Sequence, residues 1–421
     1  MKNERDQLKL AFGNVQTKRI MTPNDFISHM VEHIAWRMGC AIDLSWPGTD
    51  WQALGHRLGA RIRAFPPVAP EAATLGMMDD GSAEILISPD ASGTLDIRSG
   101  AQVDREWFLA MRCEQLSSGR GLVDLLTGLA RGLEMKIEIM IVSFEDPHHT
   151  WEAVFRGIGV ALYRMFSPPP PPVEFNDAVE TDIQNGDITI ASGSGHKAEI
   201  IRHTAESQLS VNVNFGRQSP PVFFQYKGAP IAQYRDTDAL HGFHKLLTLL
   251  AGQAGVSMRI VFRSKILSSS HVLLEDTGMV IGRALREILT KRMMGQGING
   301  AGSSIQCPED LKQQPIAVGV SVEGRKFTRF VPLAATTSEI RRQLIIGRTV
   351  LGGLFSEDLD DFIDGLSWGL GGSIMVHIKE QVPADTAWRL IFENLGRALK
   401  EVFTANPYRR GVPPGVRANL S

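Results

Sequence analysis

Residues 158–162 read Ile158-Gly159-Val160-Ala161-Leu162, and three other predicted helices end with a similar segment of an apolar residue, a glycine, two residues and another apolar residue. The other copies are Leu58-Gly59-Ala60-Arg61-Ile62, Ile281-Gly282-Arg283-Ala284-Leu285 and Leu395-Gly396-Arg397-Ala398-Leu399. The four glycines are separated by 100, 123 and 114 residues. Self-similarity at a long, nearly fixed spacing is typical of repeated structural units. The sequence therefore predicts four related units.

Each copy of this pattern follows an amphipathic segment and then a strand-like run. The amphipathic segments have apolar residues at helical spacing and are Phe26–Met38, Gly121–Leu133, Leu240–Gly252 and Leu359–Gly369. The strand-like runs are Ala41–Ser45, Lys136–Val142, Ser257–Phe262 and Ser373–Ile378, with further candidates at Ala83–Ser88, Ser207–Phe215, Pro220–Gln225 and Ile316–Val322. We predict an α+β fold of four repeated units, each a small sheet covered on one face by two helices, arranged as two tandem modules.

A proline-rich segment separates the second unit from the third. Ser167 is followed by five prolines, 168–172, which favour a stiff and extended spacer. Residues 183–197 are then rich in Asp, Gly and Ser. We therefore expect a first module at residues 1–166, a linker at 167–197 and a second module at 198–421.

The composition is that of an ordinary globular protein. Of 421 residues 43% are hydrophobic, and 44 basic against 46 acidic residues give a net charge of −2, so no overall field attracts nucleic acid or an anionic membrane. No apolar run is long enough to span a membrane, and the polar residues 1–6 do not resemble a signal peptide. Cys40, Cys113 and Cys307 lack paired spacing, which argues against disulfides and thiolate zinc sites. We expect a cytoplasmic protein in which histidines and carboxylates bind any metal.

The segment Pro147-His148-His149-Thr150-Trp151-Glu152 is the best candidate for chemistry. If the apolar residues that follow it form a buried helical stripe, His148 and Glu152 lie one turn apart on the same face and can bind one metal ion. His149 points about 100° away around the helix axis, so it suits a second ion. A solvent-facing helix start, in which the carboxylate favours the positive end of the helix dipole, explains the same residues without a metal.

Five segments together resemble a known family. They are Phe26–Met30, Pro147–Phe155, Arg202–Ser207, His271–Gly278 and Asn406–Pro413. In this order they resemble the imidazoleglycerol-phosphate dehydratases, the manganese lyases of histidine biosynthesis. The resemblance covers most of the chain and implies a divergent tandem duplication of two modules and four half-repeats.

The resemblance also implies a function and an assembly. Members of the family dehydrate imidazole glycerol phosphate to imidazole acetol phosphate, with Mn2+ sites at subunit contacts, a Glu that transfers protons and basic residues that hold the phosphate. Coordination of the imidazole ring stabilises the negative charge that develops before hydroxide leaves. Histidine and carboxylate ligands suit Mn2+, and other divalent metals accept the same donors. Family members form large shells from trimers, so we expect a large homo-oligomer.

Only part of the family's ligand set has a counterpart in this sequence. The resemblance assigns metal binding to His29, His148, His149, Glu152, His244, His271, Glu275 and His377, and proton transfer to Glu206. In the first and fourth units the ligand motif is lost, because Gly48 and Asp385 stand at its first position. We expect a composite site in which the two modules complement each other. Taken singly, most of these histidines are more typical of hydrogen-bonded core or surface residues.

The phosphate contacts that the resemblance implies fall on arginines. They are Arg156, at the position of a family lysine, Arg325, and Arg409 or Arg417 near the C-terminus. Each is also the kind of residue found as a solvated surface charge. An arginine expected before Gly302 is missing, which predicts a weakened hold on the phosphate.

Other functions stay open at this level. A non-catalytic relative would act as a scaffold or regulatory subunit, and a related metal lyase or hydrolase would use another phosphorylated or imidazole-like substrate. His29-Met30-Val31-Glu32-His33 fits the H-x-x-E-H pattern of inverted zinc peptidases. We set that pattern aside because no third zinc ligand is evident, and we interpret His33 as the polar edge of an amphipathic helix.

Overall fold

The computed structural model describes residues 7–169, 183–216, 219–265, 267 and 269–415. Within these ranges the chain forms four successive units, each with a sheet and two long helices. The α+β class predicted from the sequence is confirmed. In the described part of the chain, every helix is too short or too polar to cross a lipid bilayer.

Units 1 and 2 make up the first module. Unit 1 contains β1 (Gln7–Phe12), β2 (Lys18–Met21), α1 (Asp25–Met38), β3 (Cys40–Ser45) and α2 (Trp51–Arg63). Unit 2 contains β4 (Ala72–Met78), β5 (Gly81–Pro89), β6 (Leu95–Ser99), α3 (Arg105–Ala110), α4 (Arg120–Leu133), β7 (Met135–Ser143) and α5 (Pro147–Phe166). The strand orders are β1-β3-β2 and β4-β5-β7-β6.

Units 3 and 4 make up the second module. Unit 3 contains β8 (Ile183–Asn185), β9 (Ile188–Gly193), β10 (Lys197–His203), β11 (Ser207–Asn214), β12 (Val222–Lys227), α6 (Ala239–Ala254), β13 (Ser257–Ser264) and α7 (Ser270–Gly295). Unit 4 contains β14 (Ala301–Ser303), α8 (Pro308–Gln313), β15 (Ile316–Val322), β16 (Phe327–Pro332), α9 (Thr337–Ile340), β17 (Thr349–Val350), β18 (Leu354–Phe355), α10 (Ser356–Leu370), β19 (Gly372–Ile378) and α11 (Ala384–Val402). The orders of the main sheets are β12-β13-β11-β10-β9-β8 and β14-β15-β19-β16.

One parallel strand pair recurs in every unit. The strand before the first long helix pairs in parallel with the strand directly after that helix, as β2/β3, β6/β7, β12/β13 and β16/β19. A parallel connection needs a crossover, which the helix provides. The helix therefore lies over its own sheet in all four units.

The helices of the two units in a module pack on each other in pairs. Helix α1 packs on α5 and α2 on α4, while α6 packs on α11 and α7 on α10. The repeated glycines lie at these contacts, because a Cβ atom at Gly59 would come within 2.4 Å of the Leu129 carbonyl oxygen, and one at Gly282 within 2.4 Å of the Leu366 carbonyl oxygen. The repeated glycine thus allows two helix backbones to approach closely.

The two modules meet through the sheets of units 2 and 4. Strands β4, β15 and β19 are buried along their whole length, as expected for sheets covered on both faces. Leu75 packs with Ala317, and Met77 packs with Val331 and Met375. The sheet faces that helices leave open in units 2 and 4 therefore cover each other.

Part of the expected linker is structured. Strands β8 and β9 lie inside the interval 167–197, and they pair with each other and with β10, so the sheet of unit 3 extends back to Ile183. The alternation around Ile188 and Ile190 explains this, because Ile190 points into the core of the second module. Residues 170–172 of the proline run lie outside the described residues.

Candidate metal centre

Helices α1 and α5 bring three of the predicted ligands together. Asn24 caps α1 by accepting a hydrogen bond from the Ile27 amide, and Asp146 caps α5 by accepting one from the His148 amide. This start places His148 in the first turn of α5 and Glu152 one turn later. His29 lies one turn into α1, which packs against α5.

The donor atoms of these residues converge on one point. His29 Nε2 lies 2.7 Å and His148 Nε2 lies 2.9 Å from Glu152 Oε1. His29, His148 and Glu152 form a group of three potential metal ligands whose donor atoms all lie within 4.8 Å of one another. Two imidazoles and one carboxylate from neighbouring helices therefore face a shared position.

The outer atoms of the same side chains are held by further charged residues. His29 Nδ1 lies 3.1 Å from Glu32 Oε2, and His148 Nδ1 lies 2.8 Å from Glu114 Oε1. Arg156 Nη2 lies 3.4 Å from the second oxygen of Glu152. Metal-binding histidines typically donate their other N–H to a carboxylate, which orients the ring and fixes the tautomer. The donor set and its surroundings thus fit a divalent metal.

The pKa values of Glu152, His148 and His29 are shifted by their contacts with one another. Burial alone would raise the pKa of Glu152, but hydrogen bonds from His148, His29 and His33 outweigh it and hold that pKa well below its usual range. The hydrogen bond to Glu152 raises the pKa of His148 to about 9 against the opposing effect of burial. Burial would lower the pKa of His29, but its bonds to Glu152 and Glu32 raise it. Without a metal, the carboxylate of Glu152 thus favours the protonated form of both imidazoles.

A third imidazole reaches the same point. His33 is 1% exposed, and its Nε2 atom lies 3.3 Å from Glu152 Oε1 and 3.2 Å from His29 Nε2. Burial and the nearby Arg156 lower its pKa to about 3. His33 is therefore not at the polar edge of α1, as the sequence analysis supposed, because α5 covers that face of the helix.

One turn of the second module, between β15 and β16, contacts residues that surround this centre. Glu323, between β15 and β16, forms an ion pair with Arg156 and accepts a hydrogen bond of 2.8 Å from Arg37 Nη2. Burial would raise the pKa of Glu323, but the charges of Arg156 and Arg37 lower it to about 2. Arg325, in the same turn, pairs with Asp79. Glu323 thus contacts Arg156 and Arg37 beside the cluster, and the composite site expected from the resemblance stays a prediction.

His149 points away from the centre and faces a second pair of carboxylates. Its Nδ1 atom lies 2.5 Å from Asp80 Oδ1, and its Nε2 atom lies 3.8 Å from Asp79 Oδ2. Both aspartates belong to the turn between β4 and β5. The structure therefore separates His148 and His149 in the way that helical spacing predicts.

The other candidates for metal binding and proton transfer lie apart from the centre within one chain. His244 Nε2 donates to the Val222 carbonyl oxygen at 3.1 Å, and the buried His377 lies 3.0 Å from Ser82 Oγ at the contact between modules. His271 and Glu275 on α7 lie close enough to shift the pKa of Asp361 on α10, which burial raises. Glu206 is exposed in the turn between β10 and β11.

The phosphate candidates differ in accessibility. Arg156 is buried between Glu152 and Glu323, and Arg409 is buried with its guanidinium donating to the carbonyl oxygens of Asn299 and Pro414. Arg325 keeps 57% of its side chain exposed. Arg417 lies outside the described residues.

Four residues of the centre were not found from the sequence. They are Glu32, His33, Glu114 and Glu323. The spacing of His29, Glu32 and His33 on one helical face was available, and it was used only for a zinc motif that we set aside. Glu114 and Glu323 reach the centre from distant segments, so nothing in the local sequence marks them.

The sequence is similar to known enzymes over about half of its length. The chain is 26% identical over 217 residues to the imidazoleglycerol-phosphate dehydratase of Streptococcus sanguinis, a match covering 51% of this chain and 95% of that protein. The enzyme of Limosilactobacillus fermentum gives the same identity and the same two coverages. One dehydratase length therefore corresponds to about half of the chain. The chain is similar to the imidazoleglycerol-phosphate dehydratases over about half of its length.

A solved structure is also similar to part of the chain. The crystal structure of imidazoleglycerol-phosphate dehydratase from Staphylococcus aureus matches with a TM-score of 0.36 and 18% identity, over 50% of this chain and 99% of that one. No family model matches the chain. The dehydratases of Streptococcus sanguinis and Limosilactobacillus fermentum each match about half of the chain, as expected for two dehydratase-like modules in tandem.

Proposed function

We propose that the protein is a metal-dependent hydro-lyase that dehydrates imidazole glycerol phosphate to imidazole acetol phosphate in histidine biosynthesis. The observation that carries the proposal is the convergence of His29 Nε2, His148 Nε2 and Glu152 Oε1, with carboxylates behind both imidazoles. The similarity to imidazoleglycerol-phosphate dehydratases supports the reaction class. Mn2+ is the proposed metal, because imidazole and carboxylate donors suit it, and another divalent ion is the alternative.

His29, His148 and Glu152 would hold the metal, which would supply a Lewis acid that stabilises negative charge on the substrate's imidazole ring. Glu32 and Glu114 keep both Nδ1 atoms occupied, so that both Nε2 atoms face inward. Arg156 holds Glu152 Oε2, which leaves Oε1 for the centre. The chain's own residues thus fix the ligands before substrate binds.

The remaining roles need either the second module or another copy of the chain. Arg325 is the proposed phosphate contact, because it is the exposed arginine next to Asp79 and His149. Glu206 is the proposed proton-transfer residue, acting at the centre of a neighbouring chain in a large homo-oligomer, since within its own chain it lies in an exposed turn. A cytoplasmic location stays a prediction, supported by three cysteines that are all unpaired.

The test is an assay of the purified full-length chain with Mn2+ and imidazole glycerol phosphate. We expect turnover that a chelator abolishes and Mn2+ restores. His148→Ala should remove it, whereas His56→Ala on the exposed face of α2 should leave it unchanged. Absence of turnover in protein that holds one Mn2+ per chain would contradict the proposed reaction.

One observation favours a second candidate function. Among the described residues, the group of three potential ligands with donor atoms within 4.8 Å of one another belongs to the first module, and no such group was found in the second. A chain that had drifted further would keep the fold as a scaffold or regulatory subunit without catalysis. Metal analysis separates the two functions, because a scaffold should hold well under one ion per chain and an enzyme at least one.

A further inference from the structure

We propose that His33 is a fourth ligand of the metal centre, so that one chain supplies three imidazoles and one carboxylate without help from a second subunit. This inference rests on the proposed metal-dependent function. It goes beyond the resemblance, which assigns no role to His33 and implies metal sites at subunit contacts.

The spacing of the donor atoms supports a common ion. His33 Nε2 lies 3.2 Å from His29 Nε2 and 3.3 Å from Glu152 Oε1. Ligand bonds of about 2.1 Å at right angles put neighbouring donor atoms about 3 Å apart. The two observed distances are therefore those of adjacent ligands on an octahedral ion, and no large movement of α1 is needed.

The position of His33 on its helix supports the same role. His29 and His33 stand four residues apart on α1, so their rings lie on the same face, with centroids 4.4 Å apart. His33 is 1% exposed, and within the described part of the chain its Nε2 atom lies within hydrogen-bonding range of His29 and Glu152. A buried imidazole aimed at two other donor atoms needs a reason, because burying a polar ring is unfavourable without partners.

The three imidazoles are not equivalent. Glu32 and Glu114 support the rings of His29 and His148, whereas His33 Nδ1 has no hydrogen-bond partner among the described residues. Ligands without such support bind metal less strongly. We therefore expect the loss of His33 to weaken metal binding less than the loss of His29 or His148.

A four-donor set within one chain has a consequence for assembly. All four side chains come from α1 and α5, and these helices already pack against each other in the first module. Metal binding should then be independent of protein concentration, even where the oligomer dissociates. Four protein donors leave part of an octahedral shell open to the substrate.

The test counts imidazoles directly. Full-length protein is loaded with Mn2+, and the nitrogen modulation of the electron spin echo is recorded for the wild type, His33→Ala and His33→Asn. We expect three coupled imidazoles in the wild type and two in both variants, with Mn2+ affinity by calorimetry at least about tenfold lower in the variants. His56→Ala should match the wild type. Unfolding midpoints of the metal-free variants identify any general loss of fold.

The outcomes separate this inference from the proposed function. Two imidazoles in the wild type, or unchanged affinity in both His33 variants while His148→Ala abolishes binding, would overturn the role of His33 and leave the metal centre intact. Binding that weakens on dilution would overturn the single-chain site. No Mn2+ binding by the wild type would overturn both proposals.

Discussion

Arg156 on α5 and Glu323 between β15 and β16 form an ion pair that joins the two modules directly behind the candidate metal centre. Arg156 also contacts the second oxygen of Glu152, so the carboxylate of the second module is two contacts away from the metal position. Arg37 supports the pair from α1. The second module therefore contacts Glu152 through Arg156, and among the described residues the group of potential metal ligands comes from the first module.

Replacing Glu323 by Gln should destabilise the protein by about 3–5 kcal/mol, because Arg37 and Arg156 would be left as buried charges without a counter-ion. Guanidinium chloride unfolding measures the effect. Glu380→Gln, at an exposed position after β19, is the control and should change stability by less than about 0.5 kcal/mol. A change below about 1 kcal/mol for Glu323→Gln would mean that water replaces the carboxylate.

Metal affinity should rise with pH towards about 9. His148 has a pKa of about 9 in the metal-free protein, so below that pH its proton must leave before a metal binds. Calorimetry in two buffers of different ionisation enthalpy measures the released protons. The stability of the metal-free protein depends on pH in the opposite direction to the metal affinity. The stabilisation by protonated His148 is fully present below pH 6.5 and is lost as the pH rises to about 9. Equal affinities at pH 6.5 and pH 9 would contradict this.

Acidification should weaken the contact between modules through His377. Burial outweighs the nearby Glu84 and lowers the pKa of His377, and Lys379 also disfavours its protonation. A lowered folded pKa means that the unfolded state binds the proton more readily, so stability is lost as pH falls below about 6.5. Urea unfolding of the wild type and His377→Gln at pH 7.5 and pH 5 checks this. The variant should lose less stability than the wild type on acidification, and an equal loss would assign the effect to other groups, such as His33.

Gly282→Ala should destabilise the protein by about 1–3 kcal/mol, because the new Cβ atom would lie 2.4 Å from the Leu366 carbonyl oxygen and force α7 and α10 apart. Gly252→Ala is the matched control, because a Cβ atom there meets nothing within 4 Å and alanine favours the helix by about 0.5–1 kcal/mol. Thermal unfolding of both variants measures the difference. Equal effects at the two positions would contradict the close helix contact.

Local pattern predicted most of the fold. The helix expected at Phe26–Met38 is α1 at Asp25–Met38, and the strand expected at Lys136–Val142 is β7 at Met135–Ser143. Periodicity succeeds for β7 because most of its residues alternate between buried and partly exposed positions. The stacking of the sheets of units 2 and 4 was not predicted, since contacts such as Leu75 with Ala317 join segments far apart in the chain.

The site was predicted where its ligands follow helical spacing. His148 and Glu152 share a face because they are one turn apart, and His29 was indicated by the resemblance. Glu114 and Glu323 were missed because they arrive from other parts of the fold. His33 was misinterpreted because the sequence alone does not show that α5 covers the face of α1 on which His33 lies.

The sheets that contain β4 and β15 pack face to face within one chain. Every molecule therefore contains one first half and one second half in contact. In an assembly of identical single-module chains, a substitution appears at every equivalent position at once. Here a substitution in the second half leaves the sequence of the first half unchanged, so the two halves can diverge in sequence while they stay packed together. Divergence between the halves is thus a direct outcome of fusion.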